Sequence, residues 1–355
     1  MKIAIDGTTL RARDGSPGAG IEQYTRMISS ALVAAAPDLI FVALPIGRLP
    51  IFSRHLSVAL RAYLFGADIL FCPSGQIPLG WLGRSVIVVH DLAVYEHPEW
   101  FPHKGFQHKM LDNAVRSIRR ADAIIAVSEA TRDQIARLFP GVASKVRVVY
   151  PAVDVCQMAQ TSRHETVLFV GTIEPRKNLV NAVAAFDTFL RMHPERSATA
   201  RFALAGKVGW KSEEILEAIF QTNDAWRKKA GEDVVRLLGY VTEGEKQSLY
   251  AQAVCLFFPS WYEGFGLPAL EAMAAGLPVI ASNRGALPEV CGDAAMYVEP
   301  DDVEQMALAL AQCVMLPDAM REMTAQAKNR ADQFTWERAA SEILDVITTL
   351  SASTR

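Results

Sequence analysis

The chain has little cysteine: five in 355 residues, at positions 72, 156, 255, 291 and 313, with no Cys-x-x-Cys pair. An odd, scattered set excludes a disulfide framework and a cysteine-based zinc site, and it fits buried thiols in a reducing compartment. Long apolar runs are absent too, and none approaches the roughly 18 residues of a membrane helix. The start, Met-Lys-Ile-Ala-Ile-Asp, already reads as a strand, so no secretory leader is expected and a cytoplasmic location is. Apart from His90, the histidines (His55, His97, His103, His108, His164, His193) lack metal-ligand spacing, and no Asp-x-Asp pair follows a strand. No divalent metal site is therefore expected. Neither sign of charge dominates: 36 Lys and Arg stand against 39 Asp and Glu, a net of −3, which argues against a nucleic-acid partner.

What is present is an alternation. Half of the residues are hydrophobic, enough for two cores, and the length suits two domains. Short apolar, β-rich runs alternate with amphipathic helical stretches. In the front half the predicted strands are 2–6, 40–44, 69–72, 86–90, 123–127 and 146–150; in the rear half they are 166–170, 201–205, 234–238, 254–258, 278–281 and 295–298. Strands apolar on both faces and separated by helices imply parallel sheets covered on both sides. The series restarts near residue 165, after a polar stretch without period. The expected plan is a Rossmann-like domain over 1–152, a linker over 153–164, a second such domain over 165–335, and a last helix from Trp336 that returns to the first domain. The two α/β, doubly wound domains are expected to face each other across a cleft, with ligands beyond the carboxyl ends of the strands.

Charge divides unevenly between the halves. Residues 1–152 carry 17 Lys and Arg against 12 Asp and Glu, and residues 153–355 carry 19 against 27. A basic front half suits an anionic surface such as lipid; ordinary scatter is the alternative. Residues 47–66 mix apolar groups with Arg48, Arg54, His55 and Arg61. They read either as an amphipathic helix facing a membrane or as a helix with a solvated basic edge.

Two carboxylates bracket the most informative stretch. Glu263 lies in a Gly-rich turn after an apolar run, and Glu271 is eight positions on, inside a helical pattern. Backbone N–H groups of the turn and helix start suit a diphosphate, with a carboxylate on either side for hydroxyls. In Val170-Gly-Thr-Ile-Glu-Pro-Arg-Lys-Asn-Leu179 a strand ends at Gly171 and a helix begins near Asn178, with Arg176 and Lys177 between them. Two cations at a helix start make an anion site. The loop Gly15-Ser-Pro-Gly-Ala-Gly20 follows the first strand, and Gly18 and Gly20 permit close backbone approach to a ligand. The dinucleotide fingerprint requires a third glycine where this chain has Gln23, so a dehydrogenase is disfavoured. His90-Asp91 ends a buried strand, where a histidine can donate to a developing charge or a hydroxyl, or else pair within the core. Gly206 and Lys207 end one later strand, and Gly239-Tyr240-Val241 end the next, where the backbone can lie against a nucleobase. Ser128 either caps a helix or faces an acceptor, and Asp301-Asp302 lies in a polar turn and reads as a helix N-cap.

Together these residues resemble the family 4 glycosyltransferases, retaining enzymes of the GT-B fold. The likeness spans nearly the whole chain: the Gly-rich loop, His90-Asp91, Val127-Ser-Glu129, Gly171 with Arg176-Lys177-Asn178, Glu263 with Glu271, Gly276–Asn283 and Leu287–Val290. The resemblance implies roles. Arg176 and Lys177 hold the donor diphosphate. Glu263 binds the sugar's hydroxyls, helped by the backbone of Gly264, Phe265, Gly266 and Leu267, and Glu271 takes the ribose. His90 contacts the sugar near the reacting carbon, with Asp91 and Ser128 on the acceptor side. Gly18 and Gly20 approach the phosphate. Gly171, Gly206, Lys207, Tyr240 and Val241 complete the donor site. It also implies no metal and no cofactor, and a leaving phosphate that itself takes the acceptor's proton, so that no protein general base is expected.

The pattern His90-Asp-Leu…Pro98-Glu-Trp-Phe-Pro102, with Ile5-Asp-Gly-Thr8, looks like members that move mannose from GDP-mannose in surface polysaccharide synthesis. UDP-sugar donors stay open, and a growing glycan on a polyprenyl-type lipid carrier is the expected acceptor. A nucleotide-sugar epimerase or a non-catalytic sugar-binding protein of the same shape remain the rival readings.

Overall fold

The computed structural model describes residues 1–10, 20–45, 51–102, 106–154 and 165–352. Gly15 and Gly18, residues 47–50, and most of the expected linker lie outside the described residues. The chain divides into two compact units. The first takes in the described residues of Met1–Leu92, His103–Ala152 and Phe334–Arg355, the second Ala93–Pro102 and those of Val153–Gln333.

The first unit holds a sheet of six parallel strands: β1 (Lys2–Gly7), β2 (Ile40–Pro45), β3 (Ile69–Cys72), β4 (Arg84–Val89), β5 (Ala123–Ala126) and β6 (Val146–Val148). Their spatial order is β2-β1-β3-β4-β5-β6. The register is continuous, with Lys2 opposite Ile40 and Gly7 opposite Pro45. β3 and β5 are buried at every position, as expected of central strands covered on both faces. The helix Gly20–Ala35 buries Tyr24, Thr25, Ile28 and Leu32 along one stripe. The last helix, Trp336–Ala352, packs against it, with the Tyr24 and Trp336 rings 5.8 Å apart. The Leu350 carbonyl accepts from Arg84 at 2.9 Å.

The second unit holds another six parallel strands: β7 (Thr166–Val170), β8 (Arg201–Ala205), β9 (Val235–Gly239), β10 (Cys255–Phe258), β11 (Val279–Ser282) and β12 (Met296–Val298). The order is β12-β11-β10-β7-β8-β9. The chain thus runs outward from β7 to one edge, returns to β10 and runs to the other edge. The reversal falls between β7 and β10, the place where such sheets bind ligands. β9 at the edge keeps only Val235 buried and leaves Leu237 and Leu238 partly exposed.

The strand expectations agree with the structure to within two residues at each end. Two boundaries differ, one of them only by Phe334 and Thr335, which cluster with the first unit. Residues 93–102, read from sequence as part of the first domain, cluster with the second unit. The contacts explain it: Trp210 donates from its indole to the Trp100 carbonyl (2.9 Å) and Lys211 to the Glu99 carbonyl (2.6 Å). The described cysteines, Cys72, Cys255, Cys291 and Cys313, are buried, and none of the four is in a disulfide.

Candidate donor-binding site

The exits of β7 and β8 are joined by backbone. Gly171 donates to the Ala205 carbonyl at 2.9 Å, Ile173 to that of Lys207 at 2.9 Å, and Gly209 to that of Ile173 at 3.0 Å. A Cβ on Gly206 would sit 1.8 Å from the Gly171 carbonyl oxygen, so position 206 must be glycine. Beyond this seam Pro175–Lys177 form a 3-10 turn, and Asn178 adopts the left-handed region (φ 58°, ψ 34°) before the helix Leu179–Met192. Asparagine tolerates that conformation better than most residues. Its buried side-chain amide donates to the carbonyls of Pro259 (3.0 Å) and Pro300 (2.5 Å), tying the β7 exit to those of β10 and β12.

The β10 exit carries Glu263. Its backbone is held from both sides: Trp261 donates to the Arg176 carbonyl at 2.9 Å, and Ala286 donates to the Glu263 carbonyl at 3.0 Å. Gly285 (φ +58°) lies so close that a Cβ would stand 2.5 Å from that carbonyl oxygen. Gly266, at φ 97°, then turns the chain into the helix Leu267–Ala274, whose positive end opens beside Glu263.

The side chains converge as the sequence suggested. Lys177 Nζ lies 2.5 Å from Glu263 Oε1, and Arg176 Nη1 lies 3.0 Å from Glu263 Oε2. Arg176 also donates to the Tyr262 carbonyl at 2.9 Å. Its Nε and Nη2 both reach Glu174 Oε1, at 3.2 and 2.9 Å. Lys177 Nζ sits 5.1 Å from the Phe258 ring centroid, a cation–π contact. Glu174, Lys177 and Glu263 are all buried. Burial by itself would raise the Glu263 pKa, but the charges of Lys177 and Arg176 outweigh it and hold the carboxyl at about 2. Burial pushes Lys177 down, and neighbouring Arg176 adds to the push. Glu174 is pushed up by burial, against the pull of both cations.

Glu271 sits one helix turn and more behind. Its carboxylate accepts from Lys246 (2.7 Å) and from the Tyr250 hydroxyl (2.8 Å), both on the helix Glu243–Gln252. Burial raises its pKa, with Lys246 opposing. Lys207 Nζ lies 5.4 Å from the Tyr240 ring, which is half exposed, and Gly206 donates to the Gly239 carbonyl. Thr242, just past Val241, closes a capping box with Glu245.

The first-unit candidates fare differently. Gly20 opens its helix, and a Cβ there would meet nothing within 4 Å; Gly18 lies outside the described residues. His90 packs edge-on against Tyr24 with ring centroids 4.9 Å apart, and its Nε2 lies 2.8 Å from the Pro73 carbonyl. A carbonyl only accepts, so Nε2 carries the hydrogen. Burial lowers the His90 pKa, against the Pro73 bond and the Asp91 charge, so the neutral ring is favoured. The expected donor to a sugar or a developing charge is thus already engaged, and Nδ1 is left as an acceptor. Ser128 is fully buried and accepts from the Thr131 N–H at 2.9 Å. Of its two readings, the structure shows the cap. Asp91 is half-buried beside His90. Among the described residues no group of three or more His, Cys, Asp or Glu is placed to hold a metal ion.

Glu174, Asn178, Lys246, Tyr250 and Gly285 had no role in the sequence reading. Glu174 and Asn178 stand within the same short stretch as Arg176 and Lys177, the one signal that pointed near them. The others reach their partners across distant segments.

Comparison with known proteins agrees with this architecture. Residues 16–157 match the family described as Glycosyltransferase Family 4, and residues 158–330 match Glycosyl transferases group 1. The chain is 32% identical to the O-antigen chain mannosyltransferase B of Escherichia coli over 279 residues, 74% of this chain and 70% of that one. It is 30% identical to the O-antigen chain mannosyltransferase RfbU of Salmonella typhimurium over 266 residues, again 74% and 70%. Among solved structures, Anabaena HepE in complex with UDP and glucose superposes with a TM-score of 0.75 at 18% identity, covering 98% of this chain and all of that one. Sucrose-phosphate synthase of Thermosynechococcus elongatus does so at 0.73 and 20%, covering 99% and 100%. Two parallel-sheet units with such neighbours define a glycosyltransferase of the GT-B fold. Within that class the chain belongs to the family 4 glycosyltransferases and is mannosyltransferase-like.

Proposed function

We propose that this glycosyltransferase moves mannose from GDP-mannose, with retention of configuration and without a metal ion, to a glycan or polyprenyl-linked acceptor in surface polysaccharide synthesis. One observation carries the reading: two cations, the buried Lys177 and the partly buried Arg176, meet Glu263 at the strand reversal of the second unit. The choice of mannose is supported by the relatives, two of which are O-antigen chain mannosyltransferases.

The chemistry follows from the charges. Breaking the bond between the anomeric carbon and the phosphate leaves a cation-like sugar and growing negative charge on the diphosphate. Fixed cations and the positive end of the helix Leu267–Ala274 stabilise that charge, and a single such donor is typically worth about 10²–10³ in rate. Glu263 then holds sugar hydroxyls and Glu271 the ribose, with Lys246 and Tyr250 fixing its carboxylate. For His90 the group offered to a sugar hydroxyl is Nδ1. No side chain is assigned as general base; the departing phosphate oxygen takes the acceptor's proton on the face it leaves.

The acceptor's lipid supports a peripheral, cytoplasmic membrane contact. On the helix Ile51–Phe65, Leu56, Leu60 and Leu64 form an exposed stripe beside Tyr63 and Leu82. No acidic residue occurs between Asp38 and Asp68. Among the described residues no helix is long and apolar enough to cross a membrane. Sedimentation with anionic but not neutral vesicles is expected, and indifference to lipid charge overturns that contact.

The donor assignment is tested by thermal shift with EDTA present. A ligand at 100 times its Kd adds about 2.7 kcal/mol of stability. GDP and GDP-mannose are expected to raise Tm more than UDP, ADP or their sugars; a larger shift with UDP-sugars transfers the reading to that donor class.

A further inference from the structure

The cations assigned to the diphosphate already have partners within the chain. Arg176 and Lys177 face two carboxylates, Glu174 and Glu263, so the buried cluster is neutral as it stands. The two carboxylates are held differently. Glu174 grips the Nε and Nη2 edge of Arg176 and orients the guanidinium. Glu263 accepts from the Lys177 ammonium and from Nη1 of Arg176, which it shares with the Tyr262 carbonyl.

We propose that donor binding is an exchange, in which the diphosphate takes the place of the Glu263 carboxylate on Arg176 and Lys177, and the displaced carboxylate grips the sugar's hydroxyls. This rests on the donor-site reading above. The exchange needs only side-chain rotation. The Glu263 backbone is fixed by Ala286 and crowded by Gly285, and the Arg176 backbone by Trp261. A buried carboxylate stripped of its cations is costly unless new hydrogen bonds replace them. A hexose supplies hydroxyl donors beyond the diphosphate; a bare nucleoside diphosphate, whose ribose hydroxyls are assigned to Glu271, ends there in phosphate oxygens that only accept or repel. Glu263 is therefore a specificity-determining residue that favours a diphosphate bearing a sugar and weakens retention of the product. Without this competitor the cations would hold any diphosphate, with or without a sugar.

The test is calorimetric titration of wild type and Glu263→Gln with inorganic pyrophosphate, GDP and GDP-mannose, without acceptor. In Glu263→Gln, pyrophosphate and GDP are expected to bind about tenfold more tightly, while GDP-mannose does not gain. If Glu263→Gln does not fold, Glu263→Asp, one methylene short of both cations, is expected to shift the affinities in the same directions by a smaller factor. A parallel change for all three ligands overturns the exchange and leaves the donor site standing. No binding of any of the three to wild type overturns the donor-site reading and the exchange with it.

Discussion

The two sheets reverse direction at equivalent places, and each places a buried carboxylate there with opposite consequences. In the first unit the reversal lies between β1 and β3, and Asp6, the penultimate residue of β1, is 1% exposed. One oxygen accepts from the Thr8 N–H at 2.9 Å; the other has no hydrogen-bond partner among the described residues. Burial pushes its pKa up to about 6, against the Thr8 hydrogen bonds. In the second unit Glu263 follows β10, is 6% exposed, and is held at about 2. Burial opposes ionisation at both, so depth does not separate them. Two cations on the neighbouring strand exit do. The second unit is built around fixed opposite charges, whereas the first presents a carboxyl pushed up to about 6 by burial and an imidazole whose neutral form is favoured.

Removing a cation gives the largest expected effect on that contrast. Lys177→Ala is expected to lower turnover about 10²–10³-fold, measured under single-turnover conditions. It should also make Glu263 behave more like Asp6. A depressed carboxylate contributes stability above its ordinary pKa of 4.5 that is lost as pH falls towards about 2. Denaturation between pH 5 and pH 2 should show a shallower acid loss in the variant; an unchanged slope breaks the comparison.

Asp6→Asn addresses the other side. Because the folded pKa of Asp6 is above its ordinary 3.8, wild-type stability should fall as pH rises from about 4 through about 6. The variant should lose that slope and be more stable at pH 8 by about 1–3 kcal/mol, read by denaturant titration. A slope that persists assigns it to another group.

The smallest expected effect is at Ser128. Ser128→Ala should cost about 1 kcal/mol through loss of the cap, with acceptor kinetics unchanged. A rise in acceptor KM would restore its acceptor-side reading.

Much of this was legible in the sequence. Runs such as Val167–Val170 and Leu256–Phe258 are apolar at every position because central parallel strands are covered on both faces, and that pattern needs no tertiary knowledge. The meeting of Arg176 and Lys177 with Glu263 was legible because both segments follow strands at one reversal. What stayed hidden depends on contacts between distant segments. Nothing in the spacing says that Lys246 and Tyr250 anchor Glu271, or that Gly285 leaves room for the Glu263 backbone. Nor does it show that the His90 hydrogen is held by Pro73, or that residues 93–102 settle against Trp210 and Lys211. The pairing within the site was also missed: opposite charges read separately as ligands for two parts of a donor neutralise one another in the fold. Glu263→Ala, besides its effect on turnover, therefore also takes the carboxylate from the buried Lys177 ammonium and leaves Arg176 with Glu174, at a cost of about 3–5 kcal/mol.

The Asn178 amide has a practical implication for redesigning donor preference. It fastens three crossovers with one nitrogen: aspartate there would set an oxygen against two carbonyls, and alanine would release both. Libraries intended to change which nucleotide is accepted are better aimed at Tyr240 and Val241, on an edge the sheet can spare, with position 178 left untouched.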